Sequence, residues 1–255
     1  MTDLDMAERA ERERESYNKG LKRDTYDRYL NPAKVWFLEA RKAHAKAVFE
    51  SYPECRALEL GSFTWVGWVE NNGVRVPDLA CINISEVELA NGQDAAKTAS
   101  NAPDFKIMDA QALQFEDDSF DVIFGSAILH HLEFETSLKE IHRTLRSDGS
   151  MIFAEPMDLN PVGILIRSLT PEARTDDERP FRMQELRLIE KYFDVTYHFE
   201  GLFSVPFGVF STLLKMPSKN PITKAGYAID RLIAKVPGLR LMCRHVFMVG
   251  KPRRI

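Results

Sequence analysis

The chain has 255 residues, enough for one domain to bury a full hydrophobic core without a structural metal or disulfide bonds. With 44% hydrophobic and 28% charged residues, 13 Gly and 13 Pro, its composition excludes a collagen-like, low-complexity or wholly disordered protein. The net charge of −4 argues against a dedicated nucleic-acid-binding protein, so we expect no nucleic-acid partner.

Residues 1–52 are predicted to form a helical arm or lid that precedes the main domain. Residues 5–17 have a helix-forming composition, and residues 33–49 repeat apolar side chains at a helical period after a helix start at Asn31-Pro32. The first fifteen residues are charged where a secretory signal needs an apolar run. Because the three scattered cysteines also match no disulfide or metal-ligand spacing, we expect a cytoplasmic protein.

From residue 53 onward, predicted strands and helices alternate. The first five strands are short apolar runs at residues 56–60, 78–84, 105–108, 120–125 and 151–155. One of the helices between them begins at the capping box Ser85–Glu88, and another covers residues 136–145 and ends at Ser147-Asp148-Gly149. A repeated strand and helix order gives right-handed crossovers, so this part is predicted to be a parallel sheet with helices on both faces.

The later part of the chain is predicted to complete the sheet and to cover it. Two further strands and two helices are expected at residues 193–199, 242–249, 206–216 and 222–236. A proline-rich loop at residues 169–180 interrupts the alternation. We therefore predict an α/β fold with a doubly wound, Rossmann-like, mostly parallel sheet of seven strands. The domain covers residues 53–255, with a core at 55–156 and a variable cap at 157–255.

Ligands of an open parallel sheet bind beyond the carboxyl ends of its strands. The candidate binding residues are therefore those that stand at or just after these ends: Glu59, Gly61, Ser62, Asn83, Ile84, Asp109, Ala110 and Ser126.

Three segments within residues 55–156 carry a family resemblance. They are Asp109–Asp121 (DAQALQFEDDSFD), Ala127–Leu132 (AILHHL) and Glu140–Gly149 (EIHRTLRSDG). Together they resemble the class I S-adenosylmethionine-dependent methyltransferases, specifically the small-molecule, type 11-like branch. The resemblance implies S-adenosylmethionine as cofactor and methyl transfer to a small-molecule substrate.

The same resemblance assigns roles to single residues. It makes Asp109 the partner of the adenine amino group and Ala110 the backbone donor to the adenine ring. Ser126 and its neighbours would line the methionine arm. A carboxylate can accept a hydrogen bond from an exocyclic amine, so the role implied for Asp109 is chemically reasonable.

Two motifs depart from the family pattern. The family has three glycines at alternate positions after the first strand, but here Phe63 and Trp65 follow Gly61 at the second and third of them. These bulky side chains either narrow the cofactor pocket or turn away from it. Asn83 stands where an acidic residue usually binds the ribose, and its amide can supply one donor and one acceptor. The lost glycines and acid also argue against a nicotinamide cofactor.

Aromatic side chains are candidates to surround the sulfonium cation, because aromatic faces attract cations. The candidates are Trp65, Trp68, Phe134 and an N-terminal tyrosine such as Tyr17.

His130 and His131 follow the fourth strand and are candidate general bases, hence candidate catalytic residues. We predict no metal site there, because adjacent histidines on such a turn should point apart and Ala127 replaces the usual extra carboxylate.

Three functions remain open. The first is methyl transfer to a small natural-product, sugar or lipid-type acceptor. The second, suggested by Phe63 and Trp65, is cyclisation of the cofactor's own aminocarboxypropyl arm with release of methylthioadenosine. The third is a non-catalytic binding protein on a methyltransferase scaffold, suggested by the same residues and Asn83.

The residues from Lys215 onward carry a strong positive charge, which indicates what kind of partner the protein could bind. Ten Lys or Arg and one acid, Asp230, lie from Lys215 onward. Helices 206–216 and 222–236 should be apolar on one side and basic on the other, which is compatible with peripheral contact to anionic lipid or with a cover over a greasy substrate. The apolar stretch Gly201–Leu214 is too short to span a bilayer. Arg174 and Arg179 are candidate anion anchors, and the sequence indicates no oligomeric state.

Overall fold

The computed structural model describes residues 3–19, 27–169 and 179–254. The strands are β1 (Arg56–Leu60), β2 (Asp78–Asn83), β3 (Asp104–Ile107), β4 (Phe120–Ser126), β5 (Leu145–Pro156), β6 (Phe193–Glu200) and β7 (His245–Pro252). The first helices are α1 (Asp3–Lys19), α2 (Asp27–Phe49), α3 (Thr64–Trp68), α4 (Glu86–Ala96) and α5 (Phe134–Thr144). The later helices are α6 (Pro161–Leu169), α7 (Met183–Tyr192), α8 (Ser204–Leu213) and α9 (Pro221–Ile233).

All seven strands join one sheet in the order β3-β2-β1-β4-β5-β7-β6. Strands β1 to β5 pair in parallel, and β7 runs antiparallel to both β5 and β6. The predicted α/β fold with a seven-stranded, mostly parallel sheet is therefore confirmed. The chain winds outward from β1 to β3 and then returns to place β4 on the other side of β1. This reversal creates the crevice in which such sheets bind ligands.

The central strands are apolar on both faces, as a sheet covered by helices on both sides requires. On one face, Leu58 and Ile123 pack with side chains of α5 and α7. On the other face, Val122 packs with Phe49 of α2 and Trp68 of α3. Helix α2 is thus part of the main hydrophobic core.

The predicted start of α2 at Asn31-Pro32 is wrong. The helix begins at Asp27, so Pro32 lies inside it rather than at its first position. Proline lacks the N–H that the interior of a helix uses, and α2 forgoes one hydrogen bond there. The predicted turn Ser147–Gly149 is also wrong, because these residues belong to β5, which pairs irregularly with β4 between Phe120 and Val122.

Helices α3, α6 and α7 were not expected from the sequence. Each is short, and α7 buries only Leu186 and Ile189, too few positions to establish a helical period. Arg174 lies outside the described residues.

Helices α8 and α9 cover α2 beside the β6 edge of the sheet. Gly208 of α8 touches Ala33 of α2 so closely that a Cβ on Gly208 would lie 2.6 Å from the Ala33 nitrogen. Asp230 of α9 is buried and accepts hydrogen bonds from the backbone N–H groups of Gly201, Phe203 and Ser204 at the start of α8. Within the described residues, no helix combines the length and apolar character needed to cross a membrane.

Candidate functional site

A pocket, called here the main pocket, lies over the carboxyl ends of β1, β2, β3 and β4, at the reversal of strand order. It brings together most of the predicted site residues: Tyr17, Glu59, Gly61, Ser62, Asn83, Ile84, Asp109, Ala110, Ser126 and His131. His130 and Phe134 instead line a second pocket beside it, together with Arg179, Phe181 and Leu188.

Glu59 stabilises the loop after β1 through hydrogen bonds to its backbone. Gly61 has φ of +116°, a backbone conformation that side chains disfavour. The fully buried Glu59 carboxylate accepts hydrogen bonds from the backbone N–H groups of Phe63, Thr64 and Trp65 at 3.0, 2.6 and 3.0 Å. Burial raises the pKa of Glu59, and these hydrogen bonds oppose that rise. Glu59 therefore fixes the loop and the first turn of α3.

The two bulky residues that stand at the glycine positions point in different directions, and of the two only Phe63 lines the main pocket. Trp65 is only 1% exposed, packs edge to face against Phe105, and donates from Nε1 to the Ser62 carbonyl oxygen. It is absent from the lining of the main pocket. Phe63 is 54% exposed and stands at the pocket wall. Trp68 is also buried away from the pocket, on the face of the sheet covered by α2.

The end of β2 forms a chain of hydrogen bonds with this loop. The Asn83 side-chain oxygen accepts from the Ser85 N–H at 2.9 Å, and its amide nitrogen donates to Ser62 Oγ at 3.1 Å. The Ser62 hydroxyl donates to the Glu88 carbonyl oxygen at 2.8 Å. These bonds use one of the two amide hydrogens of Asn83 and one of the two lone pairs on its oxygen.

Asp109 is half-buried at the pocket wall beyond β3. Its Oδ1 accepts from the Gln111 backbone N–H at 2.9 Å, and both of its oxygens lie 3.2 Å from Gln111 Nε2. The Gln111 side-chain oxygen in turn accepts from the Glu133 N–H at 2.8 Å. Asp109 thus caps its own turn while it lines the pocket.

Helix α1 covers the pocket with one of its faces. Arg9, Glu13 and Tyr17 are spaced by four residues, share that face, and all line the pocket. The Tyr17 hydroxyl lies 2.9 Å from His131 Nε2, and Glu13 Oε2 lies 3.3 Å from His131 Nδ1. At the next residue of the helix, the Asn18 side-chain oxygen accepts a hydrogen bond from the Ser85 hydroxyl at 2.6 Å.

His130 and His131 belong to the short 3-10 turn Leu129–His131 after β4. The expectation that their rings point apart is wrong, since the ring centroids are 4.0 Å apart. Their partners nevertheless differ. His130 Nδ1 lies 2.6 Å from Oε2 of Glu155 at the end of β5.

Glu155 is fully buried and organises this turn. Its second oxygen, Oε1, accepts from the backbone N–H groups of Ile128 and Leu129 at 3.1 and 3.0 Å. A carboxylate in this position favours the tautomer of His130 that carries hydrogen on Nδ1, which makes Nε2 the acceptor.

The second pocket carries charges of both signs. Its wall includes Arg9 and Arg179 as well as Glu133, Glu135 and Glu185. Burial raises the pKa of Glu133, but hydrogen bonds from Thr136 and the charge of Arg9 outweigh that effect. The pKa of Glu133 is therefore lowered overall. Phe134 packs edge to face on Phe181, with ring centroids 4.9 Å apart. Arg9 belongs to the walls of both pockets.

Sequence reasoning missed the roles of Arg9, Glu13 and Gln111. The four-residue spacing of Arg9, Glu13 and Tyr17 was a usable signal, because it places all three on one helical face. No local pattern indicates Gln111, whose role depends on the neighbouring Asp109 and Glu133.

Comparison with known proteins adds a family match. Residues 61–153 match the sequence model of a family described as a methyltransferase domain. A sarcosine/dimethylglycine N-methyltransferase from Aphanothece halophytica is 30% identical over 93 residues. Those residues are 34% of this chain and 34% of the relative, so the match spans about a third of the relative's length.

Solved structures share the fold over most of the chain. The [4+2]-cyclase SpnF superposes with a TM-score of 0.55 at 18% identity, covering 84% of this chain and 80% of its own. A Thermotoga maritima protein described as a SAM-dependent methyltransferase, possible histamine N-methyltransferase, gives a TM-score of 0.52 at 18% identity. That match covers 89% of this chain and 97% of the other. At such identities these similarities establish the fold alone.

Proposed function

Residues 61–153 belong to the methyltransferase-domain family and lie in a class I methyltransferase fold, and from this premise we propose that the chain methylates a small molecule with S-adenosylmethionine. One observation carries the proposal. The main pocket at the reversal of strand order is lined by residues that lie at the ends of four strands or in the turns after them. Among them are all the strand-end residues that were predicted separately as cofactor contacts.

The main pocket suits the proposed cofactor. Asp109 and the Ala110 N–H would hold the adenine, and Asn83 would use its remaining amide hydrogen and lone pair on the ribose. Gly61 has a positive φ, and a Cβ there would lie only 3.3 Å from Glu59 Oε1, so a glycine at this position lets the loop that would hold the methionine arm keep its conformation. Ser126, His131 and Tyr17 would surround that arm. When bound, S-adenosylmethionine supplies an electrophilic methyl group on a sulfonium.

The acceptor would occupy the second pocket. Arginine and glutamate side chains in one wall suit a small molecule that carries both an amine and a carboxylate. The named acceptors of the Aphanothece relative, sarcosine and dimethylglycine, have this chemistry and are the first compounds to test.

The proposed mechanism depends mainly on positioning. His130, oriented by Glu155, would take the proton from the acceptor's ammonium group, which would free the nitrogen lone pair for the methyl group that the cofactor would supply. Helix α1 would act as a lid that excludes water and keeps the two reactants within reach of each other.

The proposal is tested by incubating the protein with labelled S-adenosylmethionine and candidate acceptors. We expect S-adenosylhomocysteine and a labelled acceptor to accumulate. Asp109→Asn should weaken cofactor binding, whereas the control Asp104→Asn, at an ion pair with Lys106 on the outer strand β3, should not. A protein that binds the cofactor yet methylates no acceptor, even from a cell extract, would contradict the proposal.

The same samples separate the two alternatives. Methylthioadenosine formed from the cofactor alone would indicate cyclisation, and no binding of S-adenosylmethionine by calorimetry would indicate a non-catalytic scaffold. The original reason for cyclisation is weakened by the packing of Trp65, which does not enter the main pocket.

A further inference from the structure

Helix α8 turns several large apolar side chains outward. Phe203, Pro206, Phe210 and Leu213 follow one another at spacings of three and four residues, so they form one stripe along the helix. Phe210 is 53% exposed and Leu213 is 68% exposed, and Leu214 just beyond the helix is 52% exposed. The opposite, buried face carries mainly small residues, among them Ser204, Gly208 and Ser211. A surface helix normally has the reverse arrangement.

Helix α9 adds a second apolar stripe and a basic one. Three exposed basic residues each stand directly before an exposed apolar residue, in the pairs Lys224-Ala225, Arg231-Leu232 and Lys235-Val236. Successive helical residues differ by about 100°, so the first two pairs form two parallel stripes, and the third pair follows just beyond the end of α9.

The apolar stripe of α9 lies on the side of α8. Gly226 is the contact point, since a Cβ there would lie 2.8 Å from Phe207 Cβ. On the helical wheel Gly226 is closer to the stripe of Ala225 and Leu232 than to the stripe of Lys224 and Arg231. The two apolar stripes therefore adjoin, and the basic residues form their rim. We call this face the α8–α9 surface.

Negative charge is missing from these two helices at their surface. The single acid between Leu202 and Arg244 is Asp230, which is 1% exposed and used as the cap of α8. Lys219, between the helices, is paired with Glu39 of α2. Lys224, Arg231 and Lys235 thus give the exposed rim a charge of one sign.

We propose that the α8–α9 surface docks the protein onto an anionic lipid bilayer. The exposed apolar side chains would enter the interfacial layer, and Lys224, Arg231 and Lys235 would contact lipid phosphates. A second copy of the chain is a poorer occupant, because it would bring the same basic rim against itself. The inference does not rest on the proposed methyl transfer.

Vesicle flotation tests the proposal with the full chain. We expect binding to phosphatidylcholine vesicles that contain phosphatidylglycerol, much weaker binding to phosphatidylcholine alone, and loss of binding as salt rises. The triple variant Lys224→Gln, Arg231→Gln, Lys235→Gln should bind roughly 100-fold more weakly, from the usual contribution of a basic residue at such a membrane.

The apolar stripe is tested by the double variant Phe210→Glu, Leu213→Glu, which should lose flotation. Its matched control is Val87→Glu on α4, a 44% exposed apolar residue outside the surface, which should float like the original protein. Thermal unfolding and cofactor binding verify that each variant is folded. The proposal is overturned if the unmodified protein does not float with anionic vesicles, or if the double variant floats as well as the control. Abolition of a concentration-dependent dimer by the same variant, without any vesicle binding, would assign the surface to a second copy.

Discussion

The hydroxyl of Tyr17 lies 2.9 Å from Nε2 of His131, and this contact joins helix α1 to the turn after β4. Because both side chains line the main pocket, the bond closes the pocket on the side of α1. We expect Tyr17→Phe to weaken S-adenosylhomocysteine binding about three- to tenfold, the usual effect of one lost hydrogen bond. Calorimetry measures it. Tyr52→Phe is the control, since the Tyr52 hydroxyl contacts Asp148 and Ser150 outside the pocket. Equal affinities for the two variants would contradict the prediction.

The neighbouring histidines should affect different kinetic constants. His130 lines the second pocket and His131 the main pocket. We expect His130→Gln to lower kcat by roughly 100-fold with little change in KM for the cofactor, because a general base contributes on that order. His131→Gln should chiefly raise KM for the cofactor. Steady-state kinetics with both substrates varied would reveal the difference, and a matching pattern in the two variants would show that the roles are not divided in this way.

Gly92 brings α4 into close contact with the loop after β1. A Cβ on Gly92 would lie 2.2 Å from the Ser62 carbonyl oxygen and 2.9 Å from the Phe105 ring. We expect Gly92→Ala to cost about 1–3 kcal/mol in the free energy of unfolding, because the backbone must shift. It should also weaken cofactor binding, since Ser62 lines the pocket. Urea unfolding and calorimetry are the measurements.

The matched control for that variant is Gly67→Ala in α3. Among the described residues, no atom outside the neighbouring backbone of α3 lies within 4 Å of a Cβ at Gly67, and its φ is not positive. This variant should leave cofactor binding unchanged and stabilise the protein by about 0.5–1 kcal/mol through helix propensity. Unchanged stability and binding in Gly92→Ala would refute the coupling.

The buried pair of Glu200 and Arg41 should make stability depend on pH. Burial raises the pKa of Glu200 to about 7, although Arg41 Nε at 2.9 Å opposes the rise. The folded state therefore keeps a proton on Glu200 that the unfolded state loses near pH 4.3. The resulting stabilisation is fully present below about pH 4.3. As pH rises from there to about 7, the free energy of unfolding falls by about 3 kcal/mol.

The variant Glu200→Gln carries a permanently neutral side chain and should lack this loss. We expect its unfolding free energy to improve relative to the original protein as pH rises from about 5 to about 7. Glu50→Gln, at an exposed ion pair with Lys46, is the control and should show no such trend. Urea unfolding at several pH values tests this, and a constant free-energy difference across that range would speak against it.

The strands of the sheet were predictable because each is a short apolar run bounded by a turn. Residues 56–60 agree with β1 in full, and the predicted helix start at Ser85 is the observed cap of α4. The antiparallel insertion of β7 between β5 and β6 has no local signature, because strand direction depends on the connections. Helices such as α7 were missed because two buried residues do not define a period.

Part of the candidate site could be predicted from the sequence for a related reason. The carboxyl ends of parallel strands meet, so Asn83 and Asp109 could be expected near Gly61 before any contact was seen. Where α1 docks could not be predicted, because a charged helix with few apolar residues has no preferred partner in its own sequence. The direction of Trp65 likewise depends on the turn at Gly61 and on the buried Glu59.

Arg9 stands in the walls of both pockets, so helix α1 is a partition common to the two halves of the site. A movement of α1 that lets the contents of one pocket leave also opens the other. The spent cofactor and the product would then depart through a single opening event in each turnover. If that opening limits the rate, kcat should vary inversely with the viscosity of the solvent when a viscogen is added.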